Sequence, residues 1–230
     1  ADRVELYLQP VVSLPQRRRR FFECYSRVRM ADGTVLMPSQ YLDVAAREGL
    51  IAAIDNLLLL RCVQLVRKSQ QRHFDVGFFC HVSPHTLEDG GFFADFVEFL
   101  LENNDLANHL FLEFAYADAE GRTEAVGALL DRLAAAGFRF SVDQVTNLDF
   151  DPKKLRDLHI GFVKIDAATA LRAAESGGMY AMKSGLVRAG IELIVEKIES
   201  EAMLLDLLDH DVDYGQGYLF GPPRAARQAA

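Results

Sequence analysis

A chain of 230 residues that is 50% hydrophobic and 25% charged can bury a sizeable core, which excludes a disordered segment and a small stapled scaffold. Its 25 Lys and Arg against 33 Asp and Glu leave a net charge of −8, which excludes nucleic-acid binding through an overall positive field but not a small anionic ligand in a local basic pocket. Two alternating segments, 6–14 and 20–30, then read as strands joined by Pro15-Gln16 and the run Arg17 to Arg20, with Ala31-Asp32-Gly33-Thr34 as a turn. From Ser39 the apolar period changes to about 3.6: Tyr41, Leu42, Ala45 and Ala46, then Ile51, Ile54, Leu57, Leu58, Cys62, Leu65 and Val66, predict two amphipathic helices divided near Gly49. Four strand-then-helix beats follow, with strands expected at 76–83, 110–115, 138–143 and 161–166. A fifth strand at 190–196 precedes a helix at 202–208, and a short strand at 212–215 leads into Gly217-Tyr218-Leu219-Phe220-Gly221-Pro222-Pro223 and a tail expected to fray.

No linker rich in Gly, Ser or Pro divides the chain, so residues 1–230 are expected to form one domain. Eight strands with intervening helices at this length predict a (β/α)8 barrel, an α/β TIM-like fold. Cys24, Cys62 and Cys80 cannot all pair and lack metal or redox spacing, so buried free thiols in a cytoplasmic-type compartment are expected. No run reaches the roughly 18 apolar residues of a membrane span. The opening Ala1-Asp2-Arg3 has neither signal peptide nor starting Met, and is expected to be the cut edge of a cytoplasmic domain from a longer protein, which a membrane segment elsewhere could anchor.

A parallel barrel places its chemistry at the carboxyl ends of its strands, and those ends are polar here. Glu23 and Arg27 share one strand face under period-2 alternation, and later strands bring His81, Glu113, Asp143, Lys164 with Asp166, and Glu196 with Glu199. Inward charges on apolar strands are costly unless paired or metal-bound, so a shared pocket is expected. Carboxylates outnumber histidines in this set, a donor chemistry suited to Mg²⁺ or Mn²⁺ rather than zinc. The alternatives are structural. Glu23 and Arg27 could form an intrastrand ion pair, Asp143, Lys164 and Asp166 a rim network, and Asp55 a favourable charge in the first half of its helix. The Arg17 to Arg20 run reads as a solvated hairpin tip, or as a contact for an acidic partner or membrane surface.

Seven segments resemble an EAL domain in order and spacing: Leu8-Gln9-Pro10-Val11-Val12, Phe22-Glu23-Cys24-Tyr25-Ser26-Arg27, Leu112-Glu113-Phe114, Val142-Asp143, Val163-Lys164-Ile165-Asp166, Val195-Glu196-Lys197-Ile198-Glu199 and Gln216-Gly217-Tyr218-Leu219-Phe220. The resemblance implies a TIM-like barrel of the EAL type with one antiparallel strand, and in active members hydrolysis of cyclic di-GMP with two divalent metals. By that resemblance Glu23, Glu113 and Asp143 match metal ligands, expected here to be vestigial, and Lys164 matches the lysine that orients the attacking water. Glu196, Glu199 and Gln216 match the residues completing the metal-side network. Arg27 and Asp55 match contacts to a phosphate and a guanine edge, with Gln9 and Pro10 beside the phosphates and Asp166 in the same ligand-binding set.

The departures from the family pattern are as informative. Adjacent aspartates become Asp143-Gln144, the Asn of Asn-Leu-Ser becomes His81, the second Glu of Leu-Glu-Ile-Thr-Glu becomes Tyr116, and a glycine-hinged loop becomes Thr146-Asn147-Leu148-Asp149-Phe150. His81 is expected to replace the amide as a hydrogen-bonding group. A neutral amide weakens a Mg²⁺ site, and loss of glycine removes backbone freedom. These features predict a receptor with no catalytic residue, not an enzyme, that binds cyclic di-GMP, requires no cofactor, holds Mg²⁺ or Mn²⁺ weakly at most, and signals to a protein partner, with a homodimer open. A narrower resemblance is to the C-terminal domain of TipF-type flagellar-positioning proteins. Two alternatives stand beside this expectation, a slow metal-dependent cyclic di-GMP phosphodiesterase and a nucleotide-independent scaffold.

Overall fold

The two alternating segments that open the chain form a long antiparallel hairpin, β1 (Val4–Ser13) and β2 (Arg18–Arg29), in a computed structural model that describes residues 3–226. A two-residue strand, β3 (Val35–Leu36), lies antiparallel on β2. There follow β4 (Gly77–His81), β5 (Leu110–Ala115), β6 (Phe140–Asp143), β7 (Ile160–Asp166), β8 (Glu192–Glu196), β9 (Tyr214–Gln216) and β10 (Arg224–Ala225). Strands β2, β4, β5, β6, β7, β8 and β9 pair in parallel in that order. β1 closes the ring, antiparallel to both β2 and β9. The result is a TIM-like barrel of eight strands with one antiparallel member.

Every anticipated strand is present, with ends displaced by no more than two residues. β3 and β10 lie outside the ring and were not anticipated, because two residues are too few to display an alternation. β10 also corrects the expectation of a frayed tail as far as residue 226, since Tyr7 and Leu8 pair with Ala225 and Arg224. The rest of that tail, 227–230, lies outside the described residues. The predicted helices Pro38–Arg47 and Ile51–Gln71 are divided at Gly49, whose φ of +66° is the left-handed conformation that glycine adopts without a Cβ penalty. Among the described residues no helix is long and apolar enough to cross a membrane.

Period-2 alternation splits the core into two compartments. Outward residues such as Leu112, Val163 and Val195 meet Leu59, Cys62, Leu133 and Leu186 on the surrounding helices. All three cysteines are buried and free, as expected. Inward residues Val11, Phe21, Phe79, Phe111, Phe162, Ile194 and Tyr214 fill the barrel itself. Phe79, Phe111 and Phe162 stand 5.1 to 5.3 Å apart between ring centroids, partly edge-on, a packing favoured by the ring quadrupoles. This aromatic plug is the floor on which the polar end of the barrel rests.

Candidate functional site

Two residues further along each strand, the same inward face turns polar. Phe21 is followed by Glu23, Phe79 by His81, Phe111 by Glu113, Phe162 by Lys164, Ile194 by Glu196 and Tyr214 by Gln216; antiparallel β1 contributes Gln9 two residues before Val11. Lys164 is the centre of the group. Its side chain is 0% exposed, and its Nζ lies 2.7 Å from Glu113 Oε2, 3.0 Å from Glu23 Oε2 and 3.8 Å from Glu196 Oε1. The ammonium also sits 4.6 Å from the centroid of the Phe79 ring, so the aromatic floor supports it from below.

Neutral groups fix the carboxylates. Ser141 Oγ donates to Glu113 Oε2 at 2.8 Å, and Gln216 Nε2 donates to Glu23 Oε2 at 2.5 Å and to Gln9 Oε1 at 3.1 Å. Gln9 Nε2 in turn donates to the Gly221 carbonyl at 3.2 Å, and the Tyr25 hydroxyl donates to Gln9 Oε1 at 3.2 Å. Sequence reasoning passed over Tyr25 and Ser141, although each lies two residues from a predicted site residue on the same strand face.

One buried lysine faces four carboxyl groups, and the imbalance sets their protonation. Burial, opposed by Lys164 but reinforced by Glu23 and Asp143, pushes Glu113 up to about 7. Burial likewise pushes Glu196 up to about 8 against the pull of Lys164, and raises Asp143 against the pull of His81 and Lys164. Glu23 is the exception. Burial would raise it too, but Lys164 and the hydrogen bonds from Gln216 and Tyr25 outweigh that cost and hold it below the usual range. Burial alone would lower the Lys164 ammonium, yet Glu113, Glu23 and Glu196 keep it well above its ordinary value.

Above this floor opens a cleft of about 450 Å³, within the size range of small-molecule sites, lined by Glu23, Tyr25, Asp143, Glu196, Gln216 and the exposed Glu199, with Tyr218 at its rim. Buried Pro10 follows Gln9 on β1. Arg27 is buried as well, but forms no ion pair with Glu23 among the described residues; its guanidinium donates to the Ser26 carbonyl at 2.8 Å and lies 5.4 and 5.6 Å from the ring centroids of Tyr7 and Tyr25. Asp55 stands apart from the lysine cluster. Its Oδ2 accepts from Ser83 N at 3.1 Å and Thr86 Oγ1 at 2.9 Å, fixing the segment that leaves β4. Asp166 caps the helix Ala167–Glu175, accepting from Thr169 N at 2.7 Å, with Lys197 Nζ 4.0 Å away. The His81 side chain makes no hydrogen bond to the protein among the described residues, so its expected part as an amide substitute has no partner within the chain.

The departures from the family pattern are structurally connected. Gln144 and Lys197, each directly after a strand-end carboxylate, have φ of +54° and +58°, strained positions of the kind that cluster at functional sites. In the glycine-free loop Asn147 Oδ1 accepts from Asp149 N at 2.9 Å, and the Phe150 ring packs 6.4 Å from that of Tyr116, so two of the departures contact each other. Gly217 is constrained by a close approach. Its φ is +154°, and a Cβ there would lie 2.1 Å from the Ile198 carbonyl oxygen. Gly217→Ala is therefore expected to cost about 2 kcal/mol or more in urea unfolding and to displace the neighbouring Gln216 from Glu23; an unchanged midpoint would show that the loop moves aside freely.

Asp143 Oδ1 and Gln216 Oε1 are buried without any hydrogen-bond partner. Orphaned oxygens within an excess of carboxylates are the donor chemistry of a hard cation, and in that respect the residues fit a divalent metal. No three His, Cys, Asp or Glu side chains among the described residues yet surround a common point as ligands, because Glu23 and Glu113 are drawn onto Lys164.

The chain is similar to PdeB of Shewanella oneidensis, named a cyclic di-GMP phosphodiesterase, at 24% identity over 95% of this chain and 26% of the relative. It is similar to MucR of Pseudomonas aeruginosa, a bifunctional diguanylate cyclase and cyclic di-GMP phosphodiesterase, at 25% identity over 97% of this chain and 33% of the relative. The chain thus spans no more than about a third of the length of these curated relatives. Among solved structures, the PaMucR phosphodiesterase in complex with cyclic di-GMP superposes with a TM-score of 0.83 at 23% identity, covering 97% of this chain and 93% of the other. The EAL domain of Xanthomonas citri FimX in complex with cyclic di-GMP also gives 0.83, at 18% identity, covering 99% and 90%. The expectation that the chain is not an enzyme is overturned, since relatives matched along nearly its whole length are named as cyclic di-GMP phosphodiesterases. Local substitutions were given too much weight against a retained set of carboxylates and lysine. The EAL domain profile matches residues 1–223, and the chain belongs to the EAL domain family.

Proposed function

We propose that the domain binds cyclic di-GMP across the cleft at the carboxyl end of the barrel and hydrolyses it slowly with the help of a divalent cation. The observation that carries this is the group of buried Glu23 and Glu113 and half-buried Asp143 and Glu196 around Lys164, with Asp143 Oδ1 left unpaired at the base of an open cleft. Glu23, Glu113 and Asp143 would hold the cation, which supplies positive charge for the phosphodiester oxygens. Lys164, permanently charged and fixed by three carboxylates, orients the attacking water and keeps a second positive charge beside the reacting phosphate. Arg27, which pairs with no carboxylate among the described residues and lies against the Tyr7 and Tyr25 rings, reaches the other phosphate. The neutral Gln144 beside Asp143 lowers cation affinity, which makes turnover slow and the bound state long-lived. That long-lived state is what a protein partner would read.

Calorimetric titration with cyclic di-GMP, paired with chromatographic detection of the linear dinucleotide in Mn²⁺, tests the proposal. Arg27→Ala is expected to weaken binding by tenfold to a hundredfold, corresponding to about 1.5–3 kcal/mol for a charge-assisted hydrogen bond to phosphate. Absence of binding by the unmodified domain would overturn the proposal; binding with no product in any divalent cation would remove the hydrolytic part alone.

A further inference from the structure

The end of the barrel opposite the cleft carries positive charge that no contact within the chain explains. Arg18, Arg19 and Arg20 open β2 and precede Phe21, so the aromatic plug stands between them and Glu23. All three are exposed and form no ion pair or side-chain hydrogen bond among the described residues, whereas Arg17 is taken by Glu201. Phe21 pairs in parallel with Gly77, and a Cβ on Gly77 would lie 2.8 Å from the Phe21 ring, so the segment entering β4 reaches the same end of the barrel beside the arginines. That segment adds Arg72, exposed and without an ion pair among the described residues, and Phe74, which is 60% exposed. Of the acidic residues at this end, Asp213 is held by Lys183 and Glu192 by Arg139, while exposed Asp75 and Asp211 offset part of the charge.

The backbone holds Phe74 in its exposed place. The helix Ile51–Gln71 ends in a left-handed His73, φ +56°, with His73 N donating to the Gln70 carbonyl at 3.0 Å and Phe74 N to the Ser69 carbonyl at 3.1 Å. The hydroxyl of buried Ser69 donates in turn to the Phe74 carbonyl at 3.1 Å. In this kind of helix ending, an apolar residue at the position of Phe74 commonly packs on the last turns of the helix. Those turns offer Lys68 and Ser69, and the ring stays in water.

We propose that this end of the barrel docks on an anionic phospholipid surface, with Arg18, Arg19, Arg20 and Arg72 against lipid phosphates and the Phe74 ring inserted among the headgroups. A single ring surrounded by cations suits that layer, where apolar and charged groups are accommodated side by side. The core of a protein interface is by contrast depleted of charge. Because the chain as a whole carries −8, attraction to an anionic surface is confined to this face and fixes the orientation. The cleft then points away from the membrane and stays open to solution. The inference is independent of what the cleft binds.

Flotation of the whole chain with vesicles of phosphatidylcholine, alone or mixed with phosphatidylglycerol, tests it. Binding is expected only to the mixed vesicles, and should weaken as salt is raised. Arg18→Gln, Arg19→Gln and Arg20→Gln should each weaken it about fivefold, and Phe74→Ser about tenfold. Arg47→Gln should leave it unchanged, since exposed Arg47 ends a helix that packs on Val28, toward the other end of β2. All these side chains are exposed, so an unaltered melting temperature is expected and separates a lost contact from a lost fold. The chain has no tryptophan, so Phe74→Trp provides a single reporter whose emission should shift to the blue on mixed vesicles and be quenched by brominated acyl chains. An emission indifferent to both lipids, or an equal loss on Arg47→Gln, would overturn the proposal. Binding to polyglutamate but to neither vesicle would assign the arginines to an acidic protein and overturn it too.

Discussion

Lys164→Met is expected to remove about 3–5 kcal/mol of folding stability at neutral pH, the largest loss of any single substitution in the cleft. Methionine fills much of the same space, so the effect is electrostatic. Glu113 is 1% exposed and Glu23 9% exposed, and both lose the only cation within hydrogen-bonding distance among the described residues. Neither has a second ion-pair partner among the described residues, and the hydrogen bonds from Ser141 and Gln216 do not neutralise them. Against a typical domain stability of about 5–15 kcal/mol, such a loss brings the barrel close to unfolding. Two features of urea denaturation would separate this cause from poor packing. The deficit should shrink on acidification, as the stranded carboxyls take up protons, and it should shrink again when Mn²⁺ is added, because a cation that binds only the folded form stabilises it by mass action. A deficit below about 1 kcal/mol, or one indifferent to both, would show that the carboxylates do not depend on Lys164.

The legible part of this molecule is its alternation. Period 2 placed the opening hairpin, short apolar runs each followed by a helical stretch placed the other barrel strands, and a lone charge on an apolar strand, as with Glu113 or Lys164, could be recognised because burying it needs a reason. What stayed hidden depended on partners distant in sequence or on groups too ordinary to attract notice. Arg17 was one of four equivalent arginines until the fold set it against Glu201, with a 2.7 Å hydrogen bond across 184 positions. Asp55 was assigned by resemblance to a guanine edge, yet its contacts within the chain are to Ser83 and Thr86, which no local pattern announces. Tyr25 and Ser141 are neutral and common in strands, so their part in holding Gln9 and Glu113 could be read only in three dimensions. The possible ion pair between Glu23 and Arg27 failed for a related reason. Four residues along a strand is the right face but a long reach, and Lys164 from across the barrel is nearer.

Between about pH 5 and 8 the metal-free domain is expected to lose stability as pH rises, against the common pattern in which buried carboxylates favour neutral solution. Glu113 is raised to about 7 and Glu196 to about 8, in each case first by burial, and burial also raises Asp143. Groups raised in the folded state bind protons that the unfolded chain has already released. Their stabilising contribution is therefore complete below the ordinary carboxylate range and is lost as pH climbs through the folded values. For Glu113 and Glu196 together the loss across that window is on the order of 6 kcal/mol. The opposing groups act elsewhere: Glu23, held low, is lost only on strong acidification, and Lys164, held high, only in strong alkali. A divalent cation replaces those protons, so its apparent affinity should climb by up to about tenfold per pH unit for each proton displaced. Thermal unfolding in EDTA and in Mn²⁺ at pH 6 and pH 8.5 measures both effects at once. The EDTA curve should move to lower temperature at pH 8.5, and the gap opened by Mn²⁺ should widen there. Equal melting points in EDTA at the two pH values would mean that Glu113 and Glu196 are ionised throughout, with Lys164 sufficient to balance them.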